Sequence, residues 1–552
     1  MIEDGNLSNR SWDVCVVGTG PCGIAVALEL ERLGQEVLVL ESGAREWEPS
    51  TAEASRATIE TPETHASMDV AVCRALGGTS WFWGGRCVAY DSVDWIDRDF
   101  VSDAHWPISE KEIRPWYTKA SEYLLCGNDV YEMPMSKKMT HGLTVDFVER
   151  WAREPKIILE HRARMTNSEK ITVNLRTTVT GLNLAAGGKR VESLDVASGQ
   201  DKTTMKARRF ILAMGGVETT RLLLSAQREW PMQFGGADGP LGRYYMGHIS
   251  GKIADIVFND RASASDLDFK LDGSGAYYRR RLMLTAEAQL EHKLLNMAFW
   301  PDNPPFYDPS HRSAVLSSVF LALAFPPTGK RLLPEAIRLA HTGPKPYPLG
   351  AHLRNAVLGA PNGAIDIYRI LRDRFLKRPR KPGFLVRNRG GRYALHYHGE
   401  QIPNPESRIK LSSETDAFGV ARAQIDFRYT DQDVESVIDS HRVLDEALRA
   451  NGVGRLEYRY AEKDLPRKVR EQASDGLHQV GTTRMGQDER TSVVDSDLKV
   501  HGLDNLYVAA SSAFPTSGQA NSTLLAVAFA ARLANHLHAL TAADPKEAHC
   551  AA

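Results

Sequence analysis

Residues 12–41, WDVCVVGTGPCGIAVALELERLGQEVLVLE, run from an apolar stretch through a glycine turn into an amphipathic helix, then into a second apolar stretch ending on an acid. The pattern predicts one βαβ unit. Between about 171 and 215, ITVNLRTTVTGLNL, KRVESLDVAS and RRFILAMGG predict a meander followed by another buried strand. From about 250 to 475 the runs shorten, with GAYYRRRLML and RAQIDFRYT as strands around a helical, basic stretch at 330–382. This predicts a second lobe inserted into the first. Strong α/β patterning then returns: NLYVAAS is a strand, and NSTLLAVAFAARLANHLHAL is a long apolar-faced helix beginning at Asn521. There is no internal repeat. Segment 313–382 mixes apolar helical periodicity with clustered Arg and Lys, which suits docking on a membrane surface or partner. A solvated helical lid whose acidic partners lie elsewhere fits the same composition and is the favoured reading.

A chain of 552 residues has room for two domains, or for one large α/β unit with an elaborated lobe. Lys plus Arg total 68 and Asp plus Glu 69. No long-range field is set up for nucleic acid or an anionic membrane, so small neutral partners are expected. Cys15, Cys22, Cys73, Cys87, Cys126 and Cys550 lack metal-ligand spacing and read as reduced thiols. The acidic start has no apolar core of a secretory signal, and no uninterrupted apolar run reaches the ~18 residues of a membrane span. The expectation is a soluble, cytoplasmic protein without a transmembrane segment; its oligomeric state is left open.

In VVGTGPCG, Gly18 makes the tight turn, Gly20 admits a pyrophosphate close to the backbone, and Gly23 lets helix and strand pack. The phosphate charge would meet the helix N-terminus, and Glu41, ending the second strand, would accept from ribose hydroxyls. Strand, helix, strand and acid are all in register, so a dinucleotide site is expected. The motif does not separate a nicotinamide from a flavin.

HQVGTTRMG at 478–486 and SVVDSDLKVHGLDNLYVAASSAFPTSGQANSTLLAVAFAARLANHL closely resemble the C-terminal region of the glucose-methanol-choline (GMC) family of FAD-dependent oxidoreductases. GGTSWFWGG at 77–85, RRFILAMGGVETTRLLL at 208–224, PLGRYYMGHISG at 240–251 and EQIPNPESRIKLS at 400–412 match in the family's order, so the resemblance spans essentially the whole chain. It implies an α/β fold: a GMC-type, Rossmann-like FAD-binding domain with an inserted α+β substrate domain, an antiparallel sheet flanked by helices. The implied division is 1–250 and 475–552 for FAD and 251–474 for substrate. His478 and Asn521 then face the reactive edge of the flavin. Gly78, Thr79, Ser80, Trp83, Gly84, Ala213, Ala510, Ser522 and Thr523 join Gly18, Gly20, Gly23 and Glu41 around the cofactor, and His398 and Gln401 lie towards substrate. QANST resembles the element of the pyranose oxidase branch, with Ser522 in place of its proline; Ser522 keeps its N–H and can still cap. Some pyranose oxidases attach FAD through a histidine where this chain has Phe82, so non-covalent FAD is expected.

Oxidising an alcohol removes a hydride from carbon and a proton from oxygen. A neutral imidazole is roughly nine pKa units too weak to make a free alkoxide, a cost of about 12 kcal/mol. His478 therefore helps only where hydride loss accompanies or closely follows proton transfer, or where the alkoxide is stabilised. Asn521 would orient the same hydroxyl. His248 reads as structural or flavin-proximal. His396 and His398 share a strand face without acidic or cysteine company, so no metal site is expected. Glu400, beside Gln401, is either a polyol contact or a turn residue, Trp81 and Trp83 read as core, and Arg484 as a tie to a carboxylate. The leading expectation is oxidation of a hydroxyl of a sugar, glycoside or cyclitol-like molecule, with dioxygen or another acceptor. The alternatives are an aliphatic or aromatic alcohol with a quinone or protein acceptor, or a non-redox protein keeping FAD as scaffold.

Overall fold

The apolar run at 12–17 becomes the strand Ser11–Val17, and the second run becomes Val37–Leu40, its parallel neighbour. In the computed structural model, which describes residues 2–4, 10–136, 138–332, 335–343, 345–388 and 390–543, Ile171–Leu175 extends this parallel sheet on one side. On the other side the second half of Asp201–Leu212 pairs with Ser11–Val17, and Leu506–Val508 follows. Both faces of these strands are covered, which is why they read as continuous apolar runs rather than alternating ones. The expected meander is present: Thr178–Leu184, Val191–Ser198 and the first half of Asp201–Leu212 are antiparallel. One long strand thus carries the meander into the parallel sheet. Cys550 lies outside the described residues.

The helix Pro21–Arg32 packs against Thr523–Ala543, burying Ile24, Leu28, Leu525 and Phe529 in a shared core. By length and composition Thr523–Ala543 is able to cross a membrane, with mean hydropathy 1.2. This corrects the count of apolar segments made from uninterrupted runs. Its 524–531 stretch is wholly buried, so its apolarity is used as core. A second correction concerns its start. The Ser522 carbonyl accepts from the Ala526 N–H at 2.9 Å, so Asn521 precedes the helix instead of opening it.

The inserted lobe is built on an antiparallel sheet ordered Gly454–Tyr458, His248–Phe258, Arg392–Glu400, Met297–Asp302, Leu282–Leu284, Leu143–Thr144. Val434, Val437 and Leu444 of the helix Asp431–Ala450 close one core against it. The strands Arg408–Thr415 and Ala421–Asp426 leave this lobe to join Thr58–Ile59. There they pack on the helix Gly216–Glu229 of the nucleotide-binding side through Ile409, Ile425 and Val217. The basic stretch is helical as predicted, with Leu349–Leu358 and Ala360–Leu371 lying over Ala314–Ala324. Register places His248 opposite Glu400 and Ser250 opposite His398, so this end of the inserted sheet delivers two histidines to the boundary between the lobes.

Candidate active site

One cavity of about 440 Å³ runs from the glycine turn to His478 and Asn521. Gly18, Gly20, Glu41, Gly78, Thr79, Ser80, Trp83, Gly84, Ala510, Ser522 and Thr523, all expected around the cofactor, line it. Gly18 has φ +99°, and a Cβ there would stand 2.7 Å from the Ala213 carbonyl oxygen. A Cβ on Gly23 would stand 2.0 Å from the Gly18 oxygen. Gly23 and Ala213 therefore shape the turn from behind and do not form cavity wall. The N-terminal ends of Pro21–Arg32, Gly216–Glu229 and Thr523–Ala543 all open on this space. Three convergent helix N-termini favour a long ligand carrying negative charge. Glu41 accepts from the Thr19 N–H at 3.0 Å and the Gly43 N–H at 2.8 Å. Burial raises its carboxyl above the ordinary range, against those hydrogen bonds. A carboxylate has about four acceptor positions, and Glu41 also accepts from the hydroxyls of Thr19 and Ser42, so a ribose hydroxyl would take the place of one of these two.

At the far end Asp475 organises the histidines. Its Oδ1 accepts from the backbone N–H of Leu477 (2.9 Å) and His478 (3.2 Å). Its Oδ2 lies 2.7 Å from the His248 backbone nitrogen, 3.0 Å from His478 Nδ1 and 3.3 Å from His248 Nδ1. On the other side of the His478 ring, Nε2 is 2.7 Å from Asn521 Nδ2. An amide nitrogen only donates, so Nε2 accepts and Nδ1 carries the proton held by Asp475. Burial pushes the Asp475 carboxyl up, but His478 and His248 outweigh it and hold the group well below the usual range. The Oδ1 of Asn521 is buried with no hydrogen-bond partner among the described residues.

His248 is fully buried, with Nε2 at 3.1 Å from the Ala520 carbonyl. Burial, then His478, lowers its pKa, opposed by Asp475. His398 stacks on His248 at 4.3 Å and lies 5.9 Å from the His478 ring. Burial and then His248 lower its pKa well below the ordinary value. The three rings place one nitrogen each within 4.8 Å of one another, company the strand pattern around His398 did not reveal. A shared zinc ion would need nitrogens about 3.4 Å apart, from Zn–N bonds of about 2.1 Å. It would also displace the bonds to Asp475, Ala520 or Asn521, so the geometry is that of a hydrogen-bonded cluster.

Several expectations are corrected. Gln401 does not reach substrate: it is fully buried, accepts from the Gly247 N–H at 2.7 Å and donates to the Arg428 carbonyl at 2.7 Å. Glu400 is locked by a two-pronged ion pair with Arg98 at 2.7 Å, both side chains fully buried. His398 stands behind the cavity wall, tied to Ser250 Oγ at 2.6 Å. Arg484 donates to the Asp103 carbonyl and lies 4.2 Å over the Tyr244 ring, and no carboxylate among the described residues holds it. His396 does have acidic company, Asp302 at 3.7 Å. Trp81 donates to the Leu76 carbonyl at 2.9 Å and Trp83 to the Pro155 carbonyl at 2.5 Å; both pack on the main core. Asp475 was missed from sequence, although an acid three residues before a histidine in DGLH was the available signal.

Residues 403–530 match the family model described as GMC oxidoreductase, and residues 12–232 that of pyridine nucleotide-disulphide oxidoreductase. The chain carries the C-terminal domain of the GMC oxidoreductases. Among its relatives, 6'''-hydroxyparomomycin C oxidase of Streptomyces lividus is 24% identical over 97% of the chain and 93% of its own length. Pyranose 2-oxidase of Tricholoma matsutake is 32% identical over 23% of the chain and 21% of its own length. An FAD-dependent oxidoreductase from Chaetomium thermophilum has the same fold, with TM-score 0.53, 14% identity, and 96% of this chain and 100% of that chain covered. The cofactor is FAD, and the cavity fits it: a glycine cradle, an acid for ribose, helix N-termini for pyrophosphate and the His478–Asn521 pair at one end. The protein is an oxidoreductase acting on CH–OH groups.

Proposed function

We propose that the chain oxidises a hydroxyl of a sugar, glycoside or cyclitol-like substrate to a carbonyl, with His478 as base and Asn521 as the orienting residue. The relatives named for aminoglycoside and pyranose oxidation support the substrate class. The Asp475–His478–Asn521 chain at the cavity end carries the chemistry.

FAD, when bound, supplies the two-electron acceptor for the hydride. Gly18, Gly20, Glu41, Gly78, Thr79, Ser80 and Ser522 would hold it, without a covalent bond at Phe82. Asp475 fixes the His478 tautomer with its lone pair on Nε2. The substrate hydroxyl displaces the Asn521 N–H from Nε2 and gives its proton there, while the Asn521 amide N–H donates to the carbinol oxygen and its free Oδ1 is open to a neighbouring hydroxyl. The imidazolium that forms lies 3.0 Å from the Asp475 carboxylate. Residues 1–250 and 475–552 would form the FAD-binding part and 251–474 the substrate part, with 408–427 returning to pack on the former.

Mixing the holoprotein under argon with a panel of pyranoses, aminoglycosides, cyclitols and simple alcohols tests this reading. Bleaching by hydroxylated rings at lower concentration than by simple alcohols is expected. Bleaching by aliphatic or aromatic alcohols alone would overturn the substrate class, and no bleaching by any alcohol would overturn the oxidation itself. Rapid reoxidation by air would assign dioxygen as the acceptor.

A further inference from the structure

Phe325, Leu332, Leu339, Leu349, Leu353, Val357, Leu358, Ile365, Tyr368, Leu371 and Leu376 are eleven of the twenty-two large apolar side chains exposed among the described residues. They fall within 52 consecutive positions of a 552-residue chain, a concentration that scattered surface apolars do not produce. In Leu349–Leu358 the residues facing the body are His352, Asn355 and Ala356, whereas Leu349, Leu353 and Val357 repeat every four residues on the water side. Ile365, Tyr368 and Leu371 repeat every three residues on the water side of Ala360–Leu371. These helices are apolar outward, the reverse of a soluble surface helix.

The charge around this face is one-sided. Residues 326–381 hold twelve Lys and Arg against three Asp and Glu, in a chain whose net charge is −1. Acidic partners are few among the described residues: Arg354, Arg378 and Arg380 make no ion pair there, while Arg369, Arg372 and Lys377 share Asp366 and Asp373, and Lys381 pairs with Asp268. Two copies meeting through this face would bring the same cations together, because a two-fold contact joins identical patches. An apolar strip bordered by Arg and Lys is complementary to a bilayer with acidic headgroups, where the apolar side chains enter the acyl boundary and the cations meet phosphates.

We propose that residues 325–381 dock this protein on anionic lipid bilayers, with Leu349–Leu358 and Ala360–Leu371 lying in the plane of the interface. The helix Thr523–Ala543 takes no part, because it is core. This attachment is independent of the substrate.

The test is sedimentation of the full-length holoprotein with vesicles of phosphatidylcholine alone, or with about one third phosphatidylglycerol. Binding to the anionic vesicles is expected, weakened by high salt and slight on phosphatidylcholine. Leu353→Glu with Val357→Glu lowers binding about tenfold or more, with flavin content and substrate reduction unchanged. Arg354→Gln with Arg380→Gln keeps the apolar face and weakens binding about fivefold per charge at low salt. The proposal is overturned if the wild-type protein stays in the supernatant with anionic vesicles, or if the Leu353/Val357 variant binds as wild type does. It is also overturned if the protein is a dimer that this variant splits, which gives the face to a second copy. Retention on poly-glutamate beads without vesicle binding would give it to an acidic protein.

Discussion

Asp475→Asn separates the base from its support while leaving size and shape almost unchanged. The carboxylate now receives two backbone N–H groups on Oδ1, and a backbone N–H and two ring nitrogens on Oδ2. An amide in its place has one acceptor and one donor, so whichever way it turns an N–H faces other donors. The arrangement that spares the backbone bonds to Leu477 and His478 points the amide N–H at His478 Nδ1, which favours the tautomer whose Nε2 carries hydrogen and cannot accept a proton. The counter-charge is also lost: a unit charge 3.0 Å from the imidazolium is worth about 5 kcal/mol at an effective dielectric constant of about 20. A positioned base contributes roughly 10²- to 10⁴-fold, and most of that contribution should go. The assay is anaerobic stopped-flow reduction of the bound flavin by saturating substrate, with flavin content measured first. Expected is normal FAD loading and a reduction rate lower by about 10²- to 10⁴-fold. A loaded Asp475→Asn protein reduced within a few-fold of the wild-type rate would refute the role of the carboxylate while leaving His478 as base untouched.

Gly23→Ala puts a methyl group 2.0 Å from the Gly18 oxygen, so the purified protein should lack flavin or be insoluble; a soluble, fully loaded variant counts against the cradle. Arg98→Leu strands the buried Glu400 charge and should cost about 3–5 kcal/mol of stability, read from urea denaturation; a loss under about 1 kcal/mol would show that the pair is not sealed from water. His441 is fully buried, and burial lowers its pKa to about 4, opposed by its bond to the Val437 carbonyl. The unfolded chain takes this proton near pH 6.5 and the folded one only near 4, so stability is whole above about pH 6.5 and falls as pH drops towards 4, by about 3 kcal/mol from this residue. Denaturation midpoints across that window should fall less steeply in His441→Phe, and an unchanged slope would contradict the assignment.

Gly18, Gly20, Gly23 and Glu41 were legible because the demands on them are local: a turn, a helix start and a strand end, all within thirty residues. His478 and Asn521 were legible only as members of longer motifs, since nothing within either segment says that the two meet at 2.7 Å. Gln401 and Glu400 were misplaced for the opposite reason. Their partners, Gly247 with Arg428 and Arg98, come from distant parts of the chain, and a polar pair at the end of a strand looks the same whether it faces a ligand or a buried backbone. Asp475 has both kinds of contact. Its bonds to Leu477 and His478 make an ordinary turn, and what gives it chemical weight is His248, 227 positions earlier.

The cluster around Asp475 also shows why three histidines can share one small volume. Burial lowers the pKa of both His248 and His398, helped at His248 by His478 and at His398 by His248. Asp475, the one carboxylate in contact with these rings among the described residues, is then available to His478. Were His248 to hold a proton as well, Asp475 would divide its charge between two imidazoliums whose ring centres are 4.5 Å apart. Depth therefore decides which histidine serves: His478 is partly open, its side chain 17% exposed, while His248 is sealed at 0%. On the proposed reading, the proton from a substrate hydroxyl would go to the ring that faces the cavity, and the ring behind it would stay neutral.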